Sequence, residues 1–309
     1  MTRIVFAGTP EFALVSLRAL VDSGRIPVAV LTQPDRPAGR GKKLTASPVK
    51  RYALEQGIPV LQPLTLRNAD AVAELRALAP DVMIVAAYGL ILPQDVLDIP
   101  THGCLNVHAS ALPRWRGAAP IQAAILAGDQ QTGISLMAMT AGLDCGPVFH
   151  TEEVSIGADE NAAELHDRLA MLGGETLVAK LDDILEGRIG AAAQDESLAT
   201  YAPKIGKQDA EIDWSLPADE LARRVRAYNP FPGAFCFVDG ASLRLKVWRA
   251  TVTDGSAEPG TVLRCDRDGI AVACGNGALQ LDELQLPGKR RVGPQEFVGQ
   301  LDLTGRRLD

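Results

Sequence analysis

The first 110 residues alternate short apolar runs with longer amphipathic stretches, and few folds accommodate that rhythm. RIVFAG, PVAVLTQ, DVMIVAAYG and GCLNVH are brief, continuous and rich in β-branched residues, the pattern of strands covered on both faces. Between them, EFALVSLRALVDSG spaces Phe12, Val15, Leu17 and Leu20 near a helical period and stops at Gly24. Ser47 before Pro48 is an N-cap signal for a helix ending by Gly57, and NADAVAELRALAP predicts a third helix closed by Pro80. Strand, helix, strand in this order requires crossovers, so the chain is expected to build an α/β, Rossmann-like, mostly parallel sheet. TGISLMAMT and PVFHTEEVS add two strands, and ENAAELHDRLAMLGGETLVAKLDDILEG reads as a long helix or a helix pair.

From about residue 206 the texture changes. GAFCFVDG, ASLRLKVWRA, PGTVLRCDRDG, IAVACGNG and ALQLDELQLPG are short and broken by Gly, Pro and Asp, which predicts a small antiparallel β-barrel of the OB-like kind. At 309 residues two domains are natural. The expected division is an α/β domain over 1–189, a linker over 190–205 within the polar stretch AAAQDESLATYAPKIGKQD, and the barrel over 206–309.

A net charge of −7 speaks against a wholly electrostatic binder of polyanions. The charge is uneven, however: between Pro34 and Arg51, six basic residues (Arg36, Arg40, Lys42, Lys43, Lys50, Arg51) face Asp35 alone. No apolar run reaches the roughly 18 residues that span a bilayer. The start, MTRIVFAGTPEFALV, is interrupted by Gly8, Pro10 and Glu11 before a signal-peptide core can form. The five cysteines include no CxxC pair. A cytoplasmic protein with reduced thiols and no membrane association is expected.

In CLNVHASALP, strand alternation puts Asn106 and His108 on one face at the carboxyl end, where open α/β sheets bind ligands. Asn106 brings an amide donor suited to a developing oxyanion, and His108 can donate or accept a proton near neutral pH. The same pair would equally serve as two satisfied core polar groups. A metal set of His102, His108 and Asp144 lacks the spacing of a helical metal motif, so no metal is expected. Gly8-Thr9-Pro10 matches neither GxGxxG nor a P-loop and is expected to be a tight turn.

The pattern Asn-x-His-x-Ser-x-Leu-Pro at 106–113, followed by Gly117 in RWRG and Asp144 in LDCGP, resembles the signature of the formyltransferases that use 10-formyltetrahydrofolate. TQPDRPAGRGKKL, ASPVK, AAYGLILP, LPRWRGAAPIQ and RAYNPFPGAF carry the resemblance along nearly the whole chain, toward members whose acceptor is initiator methionyl-tRNA. The resemblance implies a catalytic trio of Asn106, His108 and Asp144, with Ser110, Ala111, Leu112 and Pro113 bordering the folate cosubstrate. It also implies that the basic loop, Arg40 foremost with Lys42 and Lys43, reaches toward the tRNA acceptor stem. Ala111 stands where Leu is frequent in the family, and Cys145 where Thr or Ser is unsurprising; neither change removes a polar group that the chemistry needs.

The residue types suit the reaction. Only a neutral α-amine, of pKa about 8, attacks a formyl carbon. An oxyanion then develops, and a proton must leave the amine and reach the departing nitrogen. No metal and no covalent enzyme intermediate is required, and which of His108 and Asp144 moves each proton stays open at this level. A smaller amine, such as a glycinamide ribonucleotide or an amino sugar nucleotide, is the rival acceptor; the basic loop and second domain favour tRNA. A non-catalytic RNA-binding protein would not need the trio. In the second domain, alternation in LRLKVWR puts Arg244, Lys246 and Trp248 on one face, and Lys289, Arg290 and Arg291 in PGKRR add to the nucleic-acid reading of it. That face suits a nucleic-acid backbone or plain solvent, since residues 206–309 hold 14 basic and 15 acidic side chains. A monomer is expected, because all parts of the site lie in one chain.

Overall fold

The computed structural model describes residues 2–38, 41, 43–240 and 243–309. The chain divides into two compact units. The first comprises 1–120, 131–155 and 166–202; the second comprises 121–130, 156–165 and 203–309. The units therefore interleave along the sequence, whereas the division read from sequence at 189 and 206 is a simple cut.

In the first unit seven strands form one sheet, in the order Val148–Ser155, Gln131–Ala138, Cys104–His108, Val82–Ala86, Ile4–Gly8, Ala29–Leu31, Val60–Leu61. The last five pair in parallel, and Gln131–Ala138 runs antiparallel to both of its neighbours. Every residue of Ile4–Gly8, Val82–Ala86 and Cys104–His108 is buried, which explains why these strands read as continuous apolar runs instead of alternating ones. The two-residue strand Val60–Leu61 is too short to leave a pattern in the sequence.

The expected helices form at Glu11–Asp22, Pro48–Glu55 and Ala69–Ala77. Ser47 caps the second by accepting from the Lys50 backbone N–H at 3.0 Å, and Asn68 caps the third. The long segment after residue 160 is one helix, Ala162–Leu185, and not a pair. Its Gly173-Gly174 step is a contact and not a break. A Cβ on Gly173 would lie 3.0 Å from Val107 Cγ1, and one on Gly174 would lie 3.1 Å from Ala19 Cβ. The two glycines let this helix close against the sheet and the first helix.

The second unit holds a five-stranded antiparallel sheet in the order Phe235–Val238, Leu243–Thr253, Ala278–Gln285, Gly269–Ala273, Val262–Asp266. Residues 306–309 lace its two edges together. Phe237 and Asp309 exchange backbone hydrogen bonds on one side; Leu308 donates to Gly260 and Val262 donates to Arg306 on the other. Edge strands that would otherwise stand open are thereby paired, and the sheet curls into a barrel-like form. Its core gathers Leu245, Val247, Ile270, Val272, Leu279 and Leu281, the inward set that alternation assigns. Among the described residues no helix is long and apolar enough to cross a membrane.

Candidate active site

The strand Cys104–His108 lies inside the sheet, with Asn106 opposite Val85 and Met137, and His108 opposite Ser135. Asn106 and His108 are 8% and 6% exposed. Their environments differ. Among the described residues the Asn106 side-chain amide makes no hydrogen bond, although a buried amide ordinarily finds partners. His108 is held at one ring nitrogen and faces a carboxylate with the other: Nε2 lies 3.0 Å from the Trp115 carbonyl oxygen, and Nδ1 lies 3.8 Å from Asp144 Oδ2. A carbonyl oxygen can only accept, so Nε2 carries the hydrogen, and the lone pair of the neutral ring is at Nδ1, on the Asp144 side. At 3.8 Å Nδ1 and the carboxylate face each other without a hydrogen bond.

Asp144 is fixed from two directions. Its Oδ2 accepts the Gly117 backbone N–H at 2.8 Å. Gly117 is required there: its φ is 117°, and a Cβ would lie 2.6 Å from the Ala202 carbonyl oxygen. Asp144 itself has φ 48°, in the left-handed region that non-glycine residues rarely occupy. Gln194 steadies that backbone, its Nε2 donating to Asp144 O at 2.9 Å and Gly146 O at 2.7 Å. Behind Gln194 lies Arg116, 1% exposed, whose guanidinium donates to Gln194 Oε1 at 2.9 and 3.0 Å and to the Glu196 carboxylate at 2.8 and 2.9 Å. The Arg116 bond holds the Glu196 carboxyl below the usual carboxylate range.

The 110–113 stretch divides in its contacts. Ser110 is fully buried and donates to the Arg114 carbonyl at 2.6 Å. Ser135 binds the same turn from the sheet, donating to Ser110 O at 2.8 Å and accepting from Leu112 N–H at 3.1 Å. Ala111 is half-buried. Leu112 and Pro113 face a cavity of about 330 Å³ whose wall also includes Phe149, His150 and Gln194.

The structure thus brings Asn106, His108 and Asp144 to one strand end. Sequence reading missed the supports, Gln194, Arg116, Ser135 and the Trp115 carbonyl. Only Arg116 left a signal, as a basic residue among apolar neighbours; Gln194 lies in a polar stretch with no periodicity to mark it.

The basic segment is described in part. Arg40 and Lys42 lie outside the described residues. Lys43 is exposed in the strand Lys43–Thr45, which pairs with Arg36–Ala38. At the root of this ribbon, Lys50 Nζ donates to both Asp35 oxygens at 2.9 Å and Gln62 Nε2 donates to Oδ1, so one of the six cations serves the loop's own anchorage.

In the second unit Arg244, Lys246 and Trp248 do share a face. The Arg291 guanidinium lies 3.6 Å from the Trp248 ring centroid, Lys246 Nζ lies 4.8 Å from it, and Arg244 stacks 3.5 Å from the Phe235 centroid. Alternation fails just beyond, where the register shifts around Arg249. Burial first, then the neighbouring Arg244 and Arg291 charges, push the Lys246 ammonium below its ordinary pKa.

The five cysteines are free. Burial pushes the Cys104 thiol up to about 12 and the Cys274 thiol to about 11, which leaves them unreactive core residues. Among the described residues no group of three or more His, Cys, Asp or Glu gathers as a metal site.

Two family patterns match the chain: formyl transferase over residues 2–181, and formyl transferase, C-terminal domain, over 204–301. A protein of Methylococcus capsulatus named methionyl-tRNA formyltransferase is 53% identical over 308 residues, covering 99% of each chain. A protein of the same name from Pseudomonas paraeruginosa is 57% identical, covering 93% of this chain and 92% of its own. Among solved structures, the fold resembles an N-formyltransferase from Helicobacter canadensis in complex with folinic acid and dTDP-3-aminofucose (TM-score 0.68, 17% identity, 91% of this chain and 99% of that one). It also resembles HypX from Aquifex aeolicus in complex with tetrahydrofolic acid (TM-score 0.63, 19% identity, 96% of this chain); the chain spans 47% of that protein's length.

Proposed function

The chain belongs to the formyl transferase family, and from that premise we infer that it moves the formyl group of 10-formyltetrahydrofolate to the α-amino group of methionine on initiator methionyl-tRNA, for translation initiation. The full-length likeness to proteins named for that acceptor carries the choice of substrate. The chemistry rests on the orientation of His108.

With its Nε2–H given to Trp115, neutral His108 has no free N–H to offer an oxyanion. Its Nδ1 lone pair is the available acceptor for the amine proton, the imidazolium that forms faces Asp144, and that proton passes on to the departing nitrogen as its bond to the formyl carbon breaks. General base help of this kind contributes roughly 10² to 10⁴ in rate. Asn106 is the complementary group. Its amide, without a hydrogen bond among the described residues, donates to the formyl oxygen as negative charge develops there, worth about 10² to 10³. Asp144, facing Nδ1 at 3.8 Å, offsets the charge that His108 gains. The residues suit the folate cosubstrate, which supplies a formyl carbon bonded to a nitrogen leaving group: one free amide donor, one base, and an adjoining wall of Leu112 and Pro113 beside the cavity. Ser110 supports that wall from within the loop, and Ala111 completes the stretch that borders the folate.

Arg40, Lys42 and Lys43 are proposed to meet the acceptor stem, and the Arg244, Lys246 and Arg291 face to meet tRNA phosphates. Residues 1–189 carry the catalytic trio, the 190–205 stretch leads toward the second domain while lending Gln194 and Glu196 to the support of Asp144, and 206–309 form the tRNA-binding barrel. The protein works as a monomer in the cytoplasm, without a metal.

The test is a formyl-transfer assay offering 10-formyltetrahydrofolate with initiator methionyl-tRNA, glycinamide ribonucleotide and an amino sugar nucleotide in parallel. Formylation of the tRNA alone is expected. Transfer to a small amine with the tRNA untouched would overturn the acceptor assignment, and formate release without any acceptor would point to a hydrolase.

A further inference from the structure

Between residues 191 and 198 every side chain is exposed except Gln194, which turns inward. What it reaches is the backbone on both sides of Cys145. Its Nε2 spends both hydrogens on Asp144 O and Gly146 O, while its Oε1 accepts two bonds from Arg116, itself anchored by Glu196. The amide cannot rotate by 180° without turning its oxygen toward two carbonyls and its NH₂ toward a guanidinium, so its orientation is fixed. The segment it clamps is the one that needs clamping, because Asp144 holds a left-handed backbone conformation that a non-glycine residue abandons unless the surroundings over-determine it.

We propose that Gln194 is a positioning residue for Asp144, with Arg116 and Glu196 setting its orientation, so that a side chain some 50 residues downstream in sequence fixes where the carboxylate stands beside His108. The carboxylate's other tie, the Gly117 N–H, acts on the side chain alone. Without Gln194 the backbone of the turn is free to leave its strained conformation, and the carboxylate moves with it. Such a displacement weakens the step that Asp144 assists and leaves binding of tRNA in place; because Gln194 also lines the cavity beside Leu112 and Pro113, KM for the donor is not the diagnostic quantity. The inference rests on the catalytic role given to Asp144 above, and the test separates the two.

The experiment measures kcat and KM for both substrates in Gln194→Leu, Gln194→Glu, Asp144→Ala and the Gln194 variants combined with Asp144→Ala, with thermal unfolding as a check on folding. Gln194→Glu keeps the size and the Arg116 contact while losing both donated hydrogen bonds, so it carries the test should Gln194→Leu unfold. Each Gln194 variant is expected to lower kcat about tenfold, as two neutral hydrogen bonds allow, with KM for tRNA within about twofold. In the Asp144→Ala background the same change should alter kcat by less than about twofold, because the group it positions is gone. Equal losses in both backgrounds, or a rise in KM for tRNA at unchanged kcat, would overturn the positioning role. If Asp144→Ala alone left kcat within a few-fold of wild type, the catalytic reading of Asp144 would fail instead.

Discussion

Arg116 and Arg244 both sit on strands, one in each unit, and the fold uses them in opposite ways. Arg116 is enclosed, with its guanidinium bonded to Gln194 and Glu196. The Arg244 guanidinium lies over the Phe235 ring, 3.5 Å from its centroid, and, among the described residues, has no carboxylate partner. Nearby Lys246 likewise has none, and Arg291 has Glu283 at 3.7 Å. Stacking orients a cation without neutralising it, since the ring face offers only a quadrupole. The first unit consumes charge internally to set geometry; the second displays charge on aromatic supports, the face proposed above to meet tRNA phosphates. The net charge of −7 hides this difference because it averages over both uses.

The comparison predicts that substitutions in the two regions fail in different ways. His108→Ala should have the largest effect, lowering kcat by about 10² to 10⁴ with tRNA affinity retained, as steady-state rates at saturating tRNA would show. Arg116→Met comes next. It leaves the Gln194 carbonyl oxygen without its donor and should cost about 2 kcal/mol, read as a melting temperature lower by roughly 4–8 °C. Arg291→Ala should raise KM for tRNA about three- to tenfold and flatten the salt dependence of binding, with kcat and melting temperature unchanged. A salt dependence equal to that of wild type would remove Arg291 from the phosphate-binding surface.

The smallest effect concerns the root of the basic ribbon. The Lys50 ammonium first, then the Gln62 amide, hold the Asp35 carboxyl below its ordinary pKa. A carboxylate with a lowered folded-state pKa adds stability that is complete above the unfolded value, about 3.9, and is lost as pH falls through the folded one. Asp35→Asn should therefore leave stability less dependent on pH below about 4, with little change near neutrality. A melting curve with the same acid dependence as wild type would detach this pair from the stability of the segment.

Much of this was legible in the sequence, for reasons that particular residues make plain. The parallel sheet announced itself because strands buried on both faces must be apolar throughout, as Ile4–Gly8 and Val82–Ala86 are. Asn106 and His108 stood out because polar groups on such a strand demand an explanation. The interleaving of the two units was hidden, because residues 121–130 and 156–165 look locally like the elements around them. Gln194 was hidden for a different reason: its importance lies in two backbone carbonyls 50 and 48 residues away, and no local pattern encodes such a contact. The Trp115 carbonyl, which decides the tautomer of His108, belongs to the backbone and leaves no trace in side-chain chemistry.

One paired measurement bears most directly on the account: single-turnover formyl transfer by Asn106→Ala and Arg244→Ala, each followed as a function of initiator methionyl-tRNA concentration. The account predicts a clean split. Asn106→Ala should lose about 10² to 10³ in the limiting rate at an unchanged half-saturation concentration, and Arg244→Ala should keep the limiting rate while needing several-fold more tRNA to reach it. A limiting rate for Asn106→Ala within a few-fold of wild type, or equal losses of both parameters in both variants, would contradict the separation of charge spent on geometry from charge shown to tRNA.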